Sequence, residues 1–167
     1  MAASKLSGAL PAISGASLTN LPAGGKLLQV VNSTTTTDYT HSSATYGDVG
    51  LSASITPQTN SKVLVLLSLQ YFIENYKNEG FGVKILRDST AVFTSSQVYH
   101  IYGFSNASGT NVETKSKASF HILDSSVGGD GSSSLTYKVQ VGTYQGNGVK
   151  FCSNGASSEL TLFEVGA

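Results

Sequence analysis

Tryptophan is absent from this chain, and cysteine and methionine occur once each. The single Cys152 excludes an internal disulfide and any zinc site built on cysteines. Within "VKFCSN" it reads as a small buried hydrophobe. Charge is scarce as well: charged residues make up 12% of the chain and the formal net charge is zero, against about 25% charged residues in ordinary soluble domains. A neutral, charge-poor surface has no electrostatic footprint for phosphates and no steering field toward an anionic membrane, so neither nucleic acid nor membrane is an expected partner. Long apolar runs are missing too. The longest, "VLVLL" at 63–67, is far too short to span a bilayer, and the opening "MAASKLSGALPAISG" lacks the continuous apolar stretch of a secretory signal. The expectation is a chain made in a cytoplasm that stays soluble or assembles.

What is there is strand pattern. A length of 167 residues suits one domain with a real core. "SLTYKVQVG" places Leu135, Tyr137, Val139 and Val141 on one face and Thr136, Lys138 and Gln140 on the other, the alternation of a half-buried strand. "SELTLFEV" sets Leu160 and Leu162 against Thr161, Phe163 and Val165, and "KASFHILD" sends Ala118, Phe120 and Ile122 inward, opposite Ser119 and His121. With "KLLQVVN", "DVGLSASIT", "GFGVKILRD", "TAVFTS" and "QVYHIYGF" the count is about nine or ten short strands at the spacing of a sandwich. No segment carries a helical period, and no alternation of strand with helix suggests a parallel sheet. The fold class expected is all-β, an antiparallel jelly-roll-like β-sandwich with an extended N-terminal arm. Its domains are an anchoring arm at 1–25 and a sandwich at 26–167.

Two stretches carry more apolar side chains than such a domain needs. "KVLVLLSLQYFIEN" fills one face with Val63, Val65, Leu67, Leu69, Tyr71 and Ile73, and much of the other with Leu64, Leu66 and Phe72. A buried helix competes with a strand here, and the β-branched and aromatic content favours the strand. A strand apolar on both sides suggests that its second face meets a neighbouring subunit or the arm, which makes Leu64, Leu66 and Phe72 candidates for a subunit interface; core burial is the competing account. The second stretch is "ALPAISGASLTNLPAGG" at 9–25, where Leu10, Ile13, Leu18 and Leu21 follow neither a helical nor a strand period. Each such side chain is worth roughly 1.5–3 kcal/mol when buried, so these four residues are expected to lie against another surface and anchor the chain.

Catalytic and metal-binding patterns do not emerge. The carboxylates are scattered, without the close pair that glycoside hydrolysis needs. His41, His100 and His121 stand without ligand-spaced partners. No G-x-S-x-G elbow or Cys-His arrangement occurs, and "VGGDGSSS" lacks the lysine and helix of a phosphate loop. Asp124 and Asp130 flank that loop and raise the question of calcium. No enzyme activity, metal or cofactor is therefore expected. In "QVYHIYGF", strand alternation puts His100, Tyr102 and Phe104 on one side and Tyr99 and Ile101 on the other. Exposed tyrosines beside the loops 105–116 and 124–134 would stack on sugar rings, so Tyr99 and Tyr102 are candidate glycan contacts; filling the core is the competing role.

"ALPAISGASLTNLP", through Gly15, Leu18, Thr19 and Leu21, resembles the G-x-x-L-T-x-L segments of bacteriophage tail-fibre and virion appendage proteins. The ordered succession "GKLLQVVNSTTTT", "GLSASITPQTNSKVLV", "HILDSS", "LTYKVQV" and "ELTLFEV" resembles a domain common in phages of marine bacteria and cyanobacteria. The resemblance implies a trimeric jelly-roll virion protein, similar in outline to tumour-necrosis-factor and C1q-like heads, and it brings no catalytic residues. It implies a location on the outer surface of the head or on a tail appendage. The partners expected are the major capsid protein or another virion protein, two further copies of the chain and, in the fibre-tip alternative, a host glycan. A short arm without a shaft favours a capsid decoration or cement protein.

Overall fold

A computed structural model describes residues 25–74, 79–103 and 113–166 of the chain. The anchoring residues Leu10, Ile13, Leu18 and Leu21 lie outside the described residues. Eleven strands follow in order: β1 (Leu27–Thr35), β2 (Tyr39–His41), β3 (Gly47–Ile55), β4 (Lys62–Glu74), β5 (Glu79–Arg87), β6 (Thr90–Thr94), β7 (Ile101–Gly103), β8 (Glu113–Asp124), β9 (Leu135–Thr143), β10 (Val149–Phe151) and β11 (Ser158–Val165). They form two antiparallel sheets. One runs β1-β11-β4, with β8 on the far edge of β4 and the short pair β10-β2 continuing from its end; the other runs β3-β9-β5-β6, with β7 also on β5. Setting aside the three-residue strands, the two sheets read β1-β11-β4-β8 and β3-β9-β5-β6, the order of a jelly roll. The all-β antiparallel sandwich read from the sequence is the fold observed.

The alternation predicted for β4, β9 and β11 appears as burial. Val63, Val65, Leu67 and Leu69 of β4 and Leu160 and Leu162 of β11 face Leu51 and Ile55 of β3, Val83 and Ile85 of β5, and Tyr137, Val139 and Val141 of β9, all buried. Ala118 is buried on the same side of β8, with Phe120 and Ile122 packed against the core; the Phe120 ring lies 5.6 Å from Phe93 on β6 and joins the two sheets at one margin. Cys152 is buried as expected, its thiol donating to the Ser158 hydroxyl over 3.1 Å.

Register gives the sandwich two distinct ends. Leu27, Ile55, Lys62, Asp124, Leu135 and Val165 lie together at one, and Gly166 N–H donates to the Lys26 carbonyl there. The described chain begins at this end, so it is here called the arm end. Gly47, Glu74, Glu79, Glu113 and Thr143 lie at the other. A nine-residue strand such as β9 separates the two by about 30 Å.

Candidate binding surfaces at the two ends

The outer face of the β1-β11-β4-β8 sheet is apolar at the arm end. Directly opposed residues of antiparallel strands share a face, and the pairings Val30↔Phe163, Phe163↔Leu64 and Leu64↔Leu123 draw one continuous row across four strands. Its outer members are open to solvent: Val30 is 50% and Leu123 53% exposed. Leu27, 59% exposed, stands beside Val165 in the neighbouring row. Moving away from the arm end the face turns polar, through Asn32, Thr161, Leu66 and His121, and then Thr34, Glu159, Ser68 and Ser119. Asn32 donates to Thr161 over 2.8 Å, and Lys117 pairs with Glu159 at 3.9 Å.

Of the three interface candidates, Leu64 and Leu66 are half-buried on this outer face. Phe72 differs. It is buried, with the ammonium groups of Lys115 and Lys150 at 4.6 and 5.3 Å from its ring centre, and Lys150 in turn pairs with Glu74 at 2.5 Å. Its cover comes from within the chain, because Lys115 stands opposite it on β8 and Lys150 opposite it on β10. The sequence pattern of alternate apolar residues could not distinguish these two kinds of cover.

Beneath the apolar row, the arm end is tied by a buried charge cluster. The Arg87 guanidinium bonds Asp124 Oδ2 at 2.5 Å, the Tyr137 hydroxyl donates to the same oxygen over 2.8 Å, and Ser126 N–H donates to Oδ1 over 3.1 Å. Three strands, β5, β8 and β9, meet on one carboxylate. Burial, and then the hydrogen bond to Asp124, push the Tyr137 phenol well above its ordinary value. Asp130 has other partners: it accepts from the Ser133 hydroxyl at 2.6 Å and from the Ser133 and Ser132 N–H groups at 2.6 and 2.7 Å, which hold its carboxyl well below the usual carboxylate range. Asp124 and Asp130 thus have separate sets of donors within the chain. Among the described residues no group of three His, Cys, Asp or Glu side chains could hold a metal ion.

The opposite end carries the tyrosines. Among the described residues of "QVYHIYGF", Ile101–Gly103 is strand, pairing Tyr102 with Gly80 on β5, and residues 96–100 form turns and bends. The expected strand alternation therefore fails, and Tyr99 and Tyr102 meet instead of facing apart. Their ring centres are 6.1 Å apart, and both rings meet Tyr144, at 5.2 and 5.5 Å, in edge-to-face contacts. Tyr144 went unnoticed in the sequence because it lies 42 residues beyond Tyr102, in the turn after β9, and only the sheet brings them together. Tyr99 and Tyr102 remain 40% and 42% exposed. Loss of solvent around its hydroxyl, and then the Tyr144 phenol, raise the Tyr102 pKa. The loop 124–134, expected beside these tyrosines, precedes Leu135 at the arm end; residues 104–112 lie outside the described residues.

Glycine makes this end possible. A Cβ on Gly82 of β5 would stand 2.4 Å from the Gln97 carbonyl oxygen and 3.0 Å from Val98 Cα, and one on Gly80 would stand 2.5 Å from the Ile101 carbonyl oxygen and 2.9 Å from the Tyr102 ring. The segment carrying Tyr99 and Tyr102 thus lies flat against a bare strip of β5, where only a residue without Cβ admits it. Of the histidines, His41 is buried and held by the Tyr39 hydroxyl and the Thr45 carbonyl, both at 2.9 Å, and His100 and His121 are exposed.

No protein-family model matches the chain, and no curated protein matches its sequence. Among solved structures the sandwich is similar to one of the infectious bursal disease virus Gx strain, at 15% identity and a TM-score of 0.32, over 82% of this chain and 40% of that one. It is similar also to the VP2 subviral particle of infectious bursal disease virus, at 13% identity and a TM-score of 0.30, over 82% and 40% of the two chains. This chain spans 40% of the length of the structures it resembles. At such scores the likeness carries no argument, and the sandwich assignment rests on the strand order and burial described above.

Proposed function

We propose that this protein is a non-enzymatic structural component of a virion, a capsid decoration or cement protein that assembles as a homotrimer and attaches to the major capsid protein through residues 1–25. The observation that carries the reading is the row Val30–Phe163–Leu64–Leu123, an apolar surface on a sheet whose other face already holds the core. Burying large aliphatic side chains contributes roughly 1.5–3 kcal/mol each, so a second subunit laid on this row gains several kcal/mol that an isolated sandwich leaves unused. Gly25 adjoins the same end, its Cα so close to Val165 that a Cβ would stand 2.7 Å from that side chain. Arm and apolar row therefore start from one place. In this arrangement attachment and association occupy the arm end, leaving the tyrosine end directed outward, and repeated weak contacts over a lattice supply the strength of attachment.

Light scattering of the full chain tests association. We expect a mass of three 17.3 kDa chains, reduced to one in Val30→Lys and Leu123→Lys. A monomer at micromolar concentration, or a trimer indifferent to both substitutions, would refute the interface. Deletion of residues 1–25 should leave a folded sandwich that no longer sediments with capsids; a truncated protein that still attaches would refute the anchor.

A further inference from the structure

We propose that Tyr99, Tyr102 and Tyr144 form a binding site for a neutral pyranose sugar, at the end of the sandwich remote from the arm. Three aromatic rings within 6.1 Å of one another, two of them about two-fifths exposed, do not serve the core, which closes elsewhere. Nor are they an extension of the apolar row: among the described residues the large exposed aliphatic side chains Leu27, Leu28, Val30 and Leu123 lie toward the other end. A lipid or protein surface calls for aliphatic area, whereas this cluster offers ring faces each ending in a phenolic hydroxyl. A pyranose has the matching chemistry, an apolar patch of C–H bonds that stacks on an aromatic face and a rim of hydroxyls that donate and accept at phenol oxygens.

The rings are fixed before a ligand arrives. Tyr102 is on a strand paired with β5 and lies over Gly80. Tyr144 stands in a tight turn where Gln145 adopts the left-handed backbone, at φ 51° and ψ 17°, and where the Asn147 N–H donates to the Tyr144 carbonyl at 3.0 Å. A left-handed non-glycine residue costs of order 1–3 kcal/mol and persists where its surroundings demand it. Here it brings the Gln145 carboxamide to the cluster, its Nε2 donating to the Tyr144 hydroxyl over 3.3 Å. Gln145 is exposed, and its carboxamide and the three phenols offer neutral hydrogen-bonding groups, which match the hydroxyls of an uncharged sugar.

Saturation-transfer NMR on the full chain, with cellotriose, maltotriose, lactose and sialyllactose as probes, tests the site. The expected result is transfer to the ring C–H protons of at least one neutral sugar, with shifts of the Tyr99, Tyr102 and Tyr144 ring signals. Affinity should fall tenfold or more in Tyr144→Ala and in Tyr99→Ala, the latter an exposed ring whose loss leaves the fold intact. No transfer from any probe, binding of sialyllactose alone, or binding unchanged in Tyr99→Ala would each overturn the proposal. Val30→Lys, which tests association, leaves this site untouched, so failure of the trimer and failure of the sugar site are read separately.

Discussion

The arm end and the tyrosine end are built on opposite principles. At the arm end a carboxylate, a guanidinium and a phenol are buried together and lock β5, β8 and β9, while hydrophobic side chains stand outside in solvent. At the tyrosine end aromatic rings rest on bare glycine backbone, and the geometry of a turn sets their positions. The two ends thus differ in what meets solvent: aliphatic side chains above a buried ion pair at one, aromatic rings laid on glycine backbone at the other.

The largest effect should come from breaking the charge cluster. Asp124→Ala leaves Arg87 and Tyr137 without their shared acceptor, and loss of one partner of a buried ion pair costs about 3–5 kcal/mol. A urea midpoint close to the wild-type value would show that the cluster does not hold the arm end. Tyr137→Phe removes one charged hydrogen bond and should cost about 1.5–3 kcal/mol. It also tests the sign of a pH effect. The Tyr137 phenol is raised in the folded state above its ordinary value of 10.0, so the stability it contributes is complete below about pH 10 and is lost as the pH rises further, because the unfolded chain ionises first. Wild type should therefore lose stability more steeply than Tyr137→Phe above that pH in thermal melts; parallel curves would sink this account.

The corresponding break at the other end is Gly82→Ala. The added methyl meets backbone atoms that cannot swing aside, and overpacking of this kind costs about 1–3 kcal/mol. The sharper expectation is a displaced 96–103 segment, visible as altered Tyr99 and Tyr102 ring shifts with core methyl signals unchanged. Unmoved ring shifts would mean that the strip of β5 does not position the cluster. Smallest of all should be Lys117→Ala, since its partner Glu159 is as solvent-exposed as itself. Exposed pairs contribute roughly 0–1 kcal/mol, and a change larger than this in the melting curve would show the polar half of the outer sheet face to be structural.

Most of the fold was legible because burial imposes period two on a strand, and β3, β4, β9 and β11 write that period in side chains. The three-residue strands β2 and β10 were not expected, being too short to show any period. "QVYHIYGF" misled for the converse reason: its alternation is real in the sequence, but its first half is bent over the glycines of β5. Tyr99 and Tyr102 could be nominated as exposed aromatics, and their third partner could not, since nothing near Tyr144 in the sequence marks it.

The sequence by itself determined the class of architecture, the membership of the core faces and the excess of apolar residues on β4, because hydrophobic burial acts on each residue through its local alternation. Tertiary structure alone decided which surfaces those residues compose. The register of four strands joined Val30, Phe163, Leu64 and Leu123 into one row, two lysines from other strands covered Phe72, and a strand and two turns from distant segments brought three tyrosines together. Register and convergence depend on the pairing of residues far apart in the chain, and no local pattern encodes that pairing.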